Sequence, residues 1–444
     1  MTSGVRAFRP AISIAEQQMA PKAVDSTTLL SVWLVLLFLL SSRLVVPGLG
    51  GIGQPATLLA LFSGVWWVSV RFVPQLYRAQ SFNPVRIMLF AYFLYFLLSF
   101  AIGAARPLTD LEKSGSARAL IMLVALLSIA LLVLDGAVNI DRLTRLLRRL
   151  TSVGALFALY GILQGYFGDT YLFAPPGLVW NQDVVPTLLT RGVFLRPSAT
   201  GGHPIEYAAV VGALLPLALH FVFHPKSSRD RVLAVAETVI LAHALPVSLS
   251  RTAIVCAATG LIVLAFGWDW RRRMNVILTS LVSLPLFVSV QPDLVSYTFE
   301  LFRNVDDDAS IMSRIDRVPR ILGLIRERPW FGRGHGTYSV EEYFLIDNQL
   351  WVTVISSGII GLLLVLALPV VAILVVVRQP DRLVALTPEV RHLGWAVAAS
   401  ITALMVSTVT FTAFSYHILT FALFLLIGSA GAFYRLTRHA AAPV

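Results

Sequence analysis

Six arginines fall within Ser310–Trp351, SIMSRIDRVPRILGLIRERPWFGRGHGTYSVEEYFLIDNQLW, at positions 314, 317, 320, 326, 328 and 333. The planar guanidinium binds phosphate and carboxylate in a bidentate fork, so a cluster of this kind points to an anionic, phosphate-bearing ligand. The same stretch holds a glycine-rich turn, GRGHG, and closes with Asp347-Asn348 directly before an apolar run. A carboxylate sharing a cavity with such arginines can accept the proton of an attacking hydroxyl; Asp at that place is equally a favoured helix cap. Arg251 in SLSRTA sits in a very short link between two apolar runs. Arg191 and Arg196 lie in RGVFLRPSATGGHPIEY, where Gly201-Gly202 leads into His203-Pro204. Glu237 and His243 fall inside an apolar run, where an ionisable group either joins a proton relay or, for Glu237, pairs with Arg231.

The elements that position these residues must be transmembrane helices. Of 444 residues 57% are hydrophobic and 13% charged, and the mean hydropathy is +0.77. A soluble domain of this size would be covered in apolar patches at that composition. Apolar runs recur at roughly 28–46, 54–71, 85–104, 118–138, 151–167, 204–223, 232–249, 251–268, 275–291, 349–377, 393–413 and 417–434. Nearly all of them are long enough for a hydrocarbon core of about 30 Å at 1.5 Å per residue. The expectation is an all-α polytopic membrane protein with twelve transmembrane helices. Residues 1–27 read as an N-terminal tail, 28–434 as one transmembrane domain and 435–444 as a C-terminal tail.

Alternate loops carry the arginines: 71 and 78; 142, 145, 148 and 149; 229 and 231 with Lys226; 271 to 273; 378, 382 and 391; 435 and 438. Cytoplasmic placement of these loops satisfies the positive-inside rule and puts both termini inside. The intervals 168–203 and 292–348 then face outward. The arginine-rich second interval runs against the bias, and arginines kept there serve a ligand better than an orientation signal. Only Lys22, Lys113 and Lys226 are lysines, and the net charge of +11 is spread over short loops. That distribution fits topology and contact with anionic membrane lipids, and speaks against nucleic acid. A lone cysteine, Cys256, excludes an intrachain disulfide and a cysteine-rich metal site.

Within the long outer interval Ile311, Ile315, Val318, Leu322 and Ile325 recur at helical spacing. Arg314, Arg317 and Arg320 fall on neighbouring faces, and Pro319 is expected to kink or shorten the helix. Two readings stay open: a helix lying on the membrane with its arginines on lipid phosphates, or one wall of an anion site.

Three segments together resemble the O-antigen ligase and O-antigen polymerase-like family of bacterial membrane glycosyltransferases. RPSATGGHP resembles that family's arginine followed by a small-residue turn and a His or Asn near proline. SLSRTA resembles its Ser-Arg-small motif at the start of a span. SRIDRVPRILGLIRERPWFGRGHGTY resembles its arginine, short helix, then Pro-aromatic-Gly-x-Gly-x-Gly. The resemblance implies transfer of a glycan from an undecaprenyl diphosphate carrier to a sugar hydroxyl of a glycan or glycolipid acceptor. It implies an active site on the outer face of the plasma membrane and no metal or other cofactor. Carried over by position, Arg196, Arg251 and Arg314 hold the diphosphate leaving group, with Arg191, Arg317, His203, His335 and Asn348 lining the substrate site. Many members have His-Asn where this chain has Asp347-Asn348. Asp347 is then the base, with His335 or His203 as substitutes, although an exposed aspartate of pKa about 3.9 is a weak one. The alternative reading is a transporter or flippase of lipid-linked glycans. Two related halves with interrupted helices in matching places would mark a transporter, and the sequence has no such pairing.

Overall fold

The computed structural model describes residues 26–73, 82–168, 174–181, 189–191, 194–303, 309–378 and 387–439. Among these, fourteen α-helices carry nearly all the regular structure. They are α1 (Ser26–Leu39), α2 (Pro55–Arg71), α3 (Pro84–Ala104), α4 (Asp110–Gly136), α5 (Ile140–Phe167), α6 (Pro204–Phe223) and α7 (Ser228–Val247). There follow α8 (Arg251–Phe266), α9 (Trp270–Val290), α10 (Pro292–Arg303), α11 (Ala309–Glu327), α12 (Gln349–Val377), α13 (Pro388–Thr410) and α14 (His417–His439). Each expected span coincides with one helix, and α10 and α11 are additional, inside the long interval before α12. Among the described residues eight helices are long and apolar enough to cross a membrane, and α1 and α8 are shorter apolar helices. The protein is an all-α polytopic membrane protein.

Several boundaries move from their expected places for local reasons. Helix α4 begins at Asp110 rather than 118, because Thr109 and Glu112 form a reciprocal capping box. Helix α5 begins at Ile140 rather than 151, capped by Asn139, so Arg142, Arg145, Arg148 and Arg149 are helical rather than loop residues. Helix α1 stops at Leu39, and the chain turns into β1 (Leu44–Val45), which pairs antiparallel with β2 (Val179–Trp180). A second small ribbon joins β3 (Leu189–Arg191) to β4 (Phe194–Arg196).

Helix α6 is the central rod. Nearly every side chain from Tyr207 to Ala218 is buried, and it packs on α7, α8 and α13. Lipid gives helices little hydrophobic reason to associate, so close approach through small residues matters. A Cβ on Gly428 of α14 would stand 2.4 Å from the Ala130 carbonyl oxygen of α4, so these two backbones touch. At one end of the bundle the arginines are paired. Arg71 (2.9 Å) and Arg86 both hold Asp135, while Arg148 holds Asp230 (3.0 Å) and Glu237. Glu237 is therefore an ion-pair partner of Arg148 on α5 rather than of Arg231, which gives it a structural role in place of a relay. The ring of His243 stacks on Tyr166, whose hydroxyl lies 3.1 Å from Nε2.

Helix α11 runs through Pro319 without a break, contrary to the expected kink. Its second half is held by packing: Ile321, Leu324 and Ile325 lie against Ile346, Trp351 and Ile355 around the start of α12. That burial outweighs the one hydrogen bond a proline removes. The apolar face thus rests on protein, and Leu322, expected in the stripe, is on the outside.

The glycine-rich turn has a packing explanation. Helix α12 is broken at Gly358, whose φ of 69° and ψ of −176° interrupt the hydrogen-bond ladder. The turn closes that break: Arg333 N–H donates to Ile355 O (2.9 Å), Gly334 N–H to Ser356 O (2.7 Å), and Ile359 N–H to Pro329 O (2.8 Å). Backbone groups freed inside a membrane protein are thereby satisfied internally. Gly334, at φ +120°, also lies against Gly103 of α3, where an added Cβ would meet Cα at 2.4 Å. Gly334→Val is expected to cost more than about 4 kcal/mol, and the variant to elute as aggregate on gel filtration in detergent. A monodisperse, wild-type-like elution would show that the turn tolerates a side chain.

Candidate functional site

Helices α6, α8, α12 and α14 all begin at the end of the bundle where α13 finishes. Thr252 Oγ1 of α8 bonds Thr410 Oγ1 (3.2 Å), and Asn348 Nδ2 donates to Val409 O (3.1 Å). Gln349 N–H reaches Phe411 O (3.2 Å), while its side-chain oxygen accepts from Phe414 N–H (2.9 Å). The carboxylate of Glu206 joins α6 to α14, accepting from Gly202 N–H (2.8 Å), Ile418 N–H (2.8 Å) and Leu419 N–H (3.3 Å). Each helix start carries roughly half a positive charge. Four of them around one point favour an anion.

Two loops reach this point under strain. Ala199 (φ 50°) and Leu249 (φ 48°) are the non-glycine residues with positive φ among those described. Such conformations cost on the order of 1–3 kcal/mol and persist where surroundings enforce them. Here Gln164 at the end of α5 accepts from Ser198 N–H (3.0 Å) and Ala199 N–H (2.8 Å). Thr200 ties the same turn to α1 through its hydroxyl on Phe38 O (2.6 Å) and its carbonyl on Ser42 N–H (2.8 Å). The two strained residues lie within RPSATGGHP and SLSRTA, directly beside the arginines that sequence singled out.

The structure brings Arg191, Arg196, His203 and Asp347 together. Arg196 at the end of β4 is half-buried, with its Nε buried and lacking a hydrogen-bond partner. Burial first, then the neighbouring charge of Arg191, lowers its pKa, with Tyr297 acting in the opposite sense. Arg191 itself donates to Leu249 O (3.2 Å), which ties β3 to the strained link just before Arg251, the first residue of α8. Among the described residues neither Arg191 nor Arg196 makes an ion pair, whereas Arg71, Arg86 and Arg148 at the other end all do. A desolvated cation beside a second cation is an arrangement that waits for an anion.

His203 caps α6 by accepting the Ile205 N–H on Nδ1 (3.1 Å). Its pKa is pushed down to about 4, chiefly by burial and then by Arg196, with Asp347 pulling upward and Arg43 downward. The neutral ring therefore carries its proton on Nε2 and offers a donor, not a base. Arg43, after α1, donates to Gly202 O (3.5 Å) and completes the cationic group. The charge of Asp347 also reaches Tyr416 and Tyr338, both raised to about 12 mainly by burial. Tyr416 tilts against the His203 ring at 5.7 Å.

Capping at the α12 start belongs to Asn348, not Asp347. Its Oδ1 accepts from Leu350 N–H (2.9 Å) and Trp351 N–H (3.2 Å). Its Nδ2 also donates to Val409 O, so Asn348 fixes the start of α12 against the end of α13. Arg317 approaches from α11, donating to Leu345 O (2.8 Å) two residues before Asp347. Arg314 is one turn earlier on α11, and its side chain lies outside the described residues. His335 is not brought to this group. Its ring packs on Phe96 at 4.8 Å, and burial pushes its pKa down to about 4 with no charged neighbour involved.

Sequence reasoning missed Arg43, Gln164, Glu206 and Tyr416. Glu206 had a signal, since it stands three residues after the cap His203, at capping-box spacing. Nothing in the local sequence marks Arg43, which reaches the site through the fold of the β1 loop.

Among curated proteins, no match to the chain is found. Residues 236–366, from within α7 to the middle of α12, match the family model described as O-antigen ligase. The matched segment contains Arg251, α11, the glycine-rich turn and Asp347. The match covers under a third of the chain, makes it O-antigen ligase-like, and supports a membrane protein of polysaccharide synthesis of glycosyltransferase type.

Proposed function

We propose that this protein transfers a glycan from an undecaprenyl diphosphate carrier to a sugar hydroxyl on the outer face of the plasma membrane, without a metal. The observation that carries the reading is the desolvated Arg196 with Arg191 beside it, next to His203, which feels the charges of Arg196, Asp347 and Arg43. Arg196, Arg191, Arg43, Arg251 and Arg314 receive the diphosphate. Negative charge grows on the diphosphate oxygens as the anomeric bond breaks, and fixed guanidinium groups with four helix starts stabilise it more in the transition state than in the ground state. Asp347 takes the proton of the acceptor hydroxyl as its oxygen attacks the anomeric carbon. His203 Nε2–H serves as a donor to substrate.

Arg251 provides the test of the leaving-group assignment. Arg251→Lys keeps the charge but removes the planar fork that matches phosphate. Transfer by the purified variant is expected to fall at least about tenfold, while a chelator leaves the initial rate of wild-type enzyme unchanged. Full activity in the lysine variant, or strict dependence on added magnesium or manganese, would overturn the assignment.

Orientation is tested by thiol labelling after Cys256 is replaced. In intact cells, cysteines introduced at Arg145 or Arg272 are expected to stay unlabelled by a membrane-impermeant reagent, and one at the exposed Glu341 to react. The reverse pattern would place the arginine cluster on the inner face and exclude an outward-facing reaction.

A further inference from the structure

His220, His224 and His392 lie at the opposite end of the bundle from the arginine cluster. His220 is 17 residues beyond His203 on α6, about 26 Å along a helix rising 1.5 Å per residue. Two of the three come from HFVFH: His220 is in the last turn of α6, and His224 is the residue that ends the helix and stacks on His220. The third lies in the first turns of α13. Their rings are mutually stacked or tilted, with centroids 5.0 to 5.3 Å apart. One nitrogen from each ring lies within 4.8 Å of those of the other two.

We propose that these three histidines form a site for one divalent transition-metal ion, zinc by the nature of its donors, which braces α6 against α13 and takes no part in glycan transfer. The donor set is three imidazoles without a carboxylate, which suits zinc, copper or nickel over magnesium or calcium. Three histidines with a fourth place left for water is a recurrent zinc arrangement. Zinc–nitrogen bonds of about 2.0–2.1 Å put tetrahedral nitrogens roughly 3.3 Å apart, so side-chain rotation suffices to close the set.

The hydrogen bonding around these rings fixes where their protons lie before an ion binds. His220 Nδ1 and His392 Nδ1 are 2.8 Å apart, so one of them must hold a proton. Trp268 Nε1–H donates to His392 Nε2 (2.8 Å), which places the His392 proton on Nδ1 and aims it at His220. The His220 proton is then on Nε2, a buried nitrogen with no hydrogen-bond partner. Metal binding presents one lone pair from each ring, and each ring keeps one proton. His392 moves its proton from Nδ1 to Nε2, and the Trp268 indole turns out of that contact. His224 ligates through Nε2, displacing Arg272 Nη1 (3.3 Å) toward Asp269, whose carboxylate already lies 3.8 Å from Arg272 Nε. The Arg272 charge opposes the ion, and this pairing offsets part of that repulsion.

The test uses the full-length protein purified in detergent, stripped with chelator and reloaded with zinc. The expected result is one zinc retained per chain after desalting, a higher Tm than the stripped protein, and intense visible absorption when cobalt replaces zinc. Stripping leaves the initial transfer rate unchanged, because the ion is a helix length from Asp347. His224→Ala, at a partly exposed position, is expected to fold normally and bind zinc at least about a hundredfold more weakly, beyond what loss of an outer-shell partner causes. His392→Gln gives the same loss from the other helix. Substoichiometric zinc in the wild type overturns the proposal, as does equal retention in wild type and His224→Ala.

Discussion

Asp347→Asn is expected to slow transfer at least about a hundredfold, within the usual 10²–10⁴ range for a lost general base, in a protein that still inserts, folds and binds the lipid-linked donor. The fold is spared because Asn348, not Asp347, supplies the α12 cap. The substitution keeps the size and shape of the side chain and removes its charge. Neither histidine can easily stand in: His203 commits Nδ1 to Ile205 N–H and so carries its proton on Nε2, and His335 packs on Phe96 away from the arginines. Asp347→His restores the residue usual in the resembling family and is expected to keep measurable transfer. Single-turnover kinetics with purified donor and acceptor separate the outcomes. Near wild-type turnover in the Asn variant would remove the base role from this position.

Arg196→Gln is expected to show opposite effects on activity and stability. Transfer falls by about 10²–10³, the scale seen when one preorganised donor to a developing negative charge is removed. The Tm of the donor-free protein stays the same or rises, since the variant no longer desolvates a cation next to Arg191 without an ion pair. Inorganic pyrophosphate provides a second readout: it raises the Tm of wild-type protein and much less that of the variant. A drop in both activity and donor-free Tm would instead identify Arg196 as an ordinary structural residue of the β3–β4 ribbon.

Much of the architecture was legible from hydropathy. Each of the twelve apolar runs became a helix, because a chain in lipid has few ways to satisfy its backbone and length alone nearly specifies the outcome. The arginines at 191, 196 and 251 could be named in advance because a cation is conspicuous in such a chain. The convergence of Arg191 and Arg196 with His203 and Asp347 could not. It depends on Gln164 and Thr200 holding a strained turn and on α6, α8, α12 and α14 starting at one place.

Local rules misled where two neighbours competed or where tertiary packing won. Asp347 and Asn348 are both good caps, and only the approach of Val409 decides that Asn348 serves, because its amide can donate to that carbonyl while accepting from the helix. Pro319 should break α11, yet burial of Ile321 and Ile325 against the start of α12 holds the helix through it. The turn GRGHG has the composition of a phosphate loop, but its N–H groups at Arg333 and Gly334 are spent on the break in α12.

Residue type and hydropathy thus determined the membrane class and the helices, because those follow from the transfer energy of each side chain and its local chain. The members of the site, including Arg43 from the first loop and Glu206 bridging α6 to α14, were decided only by the tertiary structure. Their proximity comes from contacts more than a hundred residues apart, which no local spacing encodes.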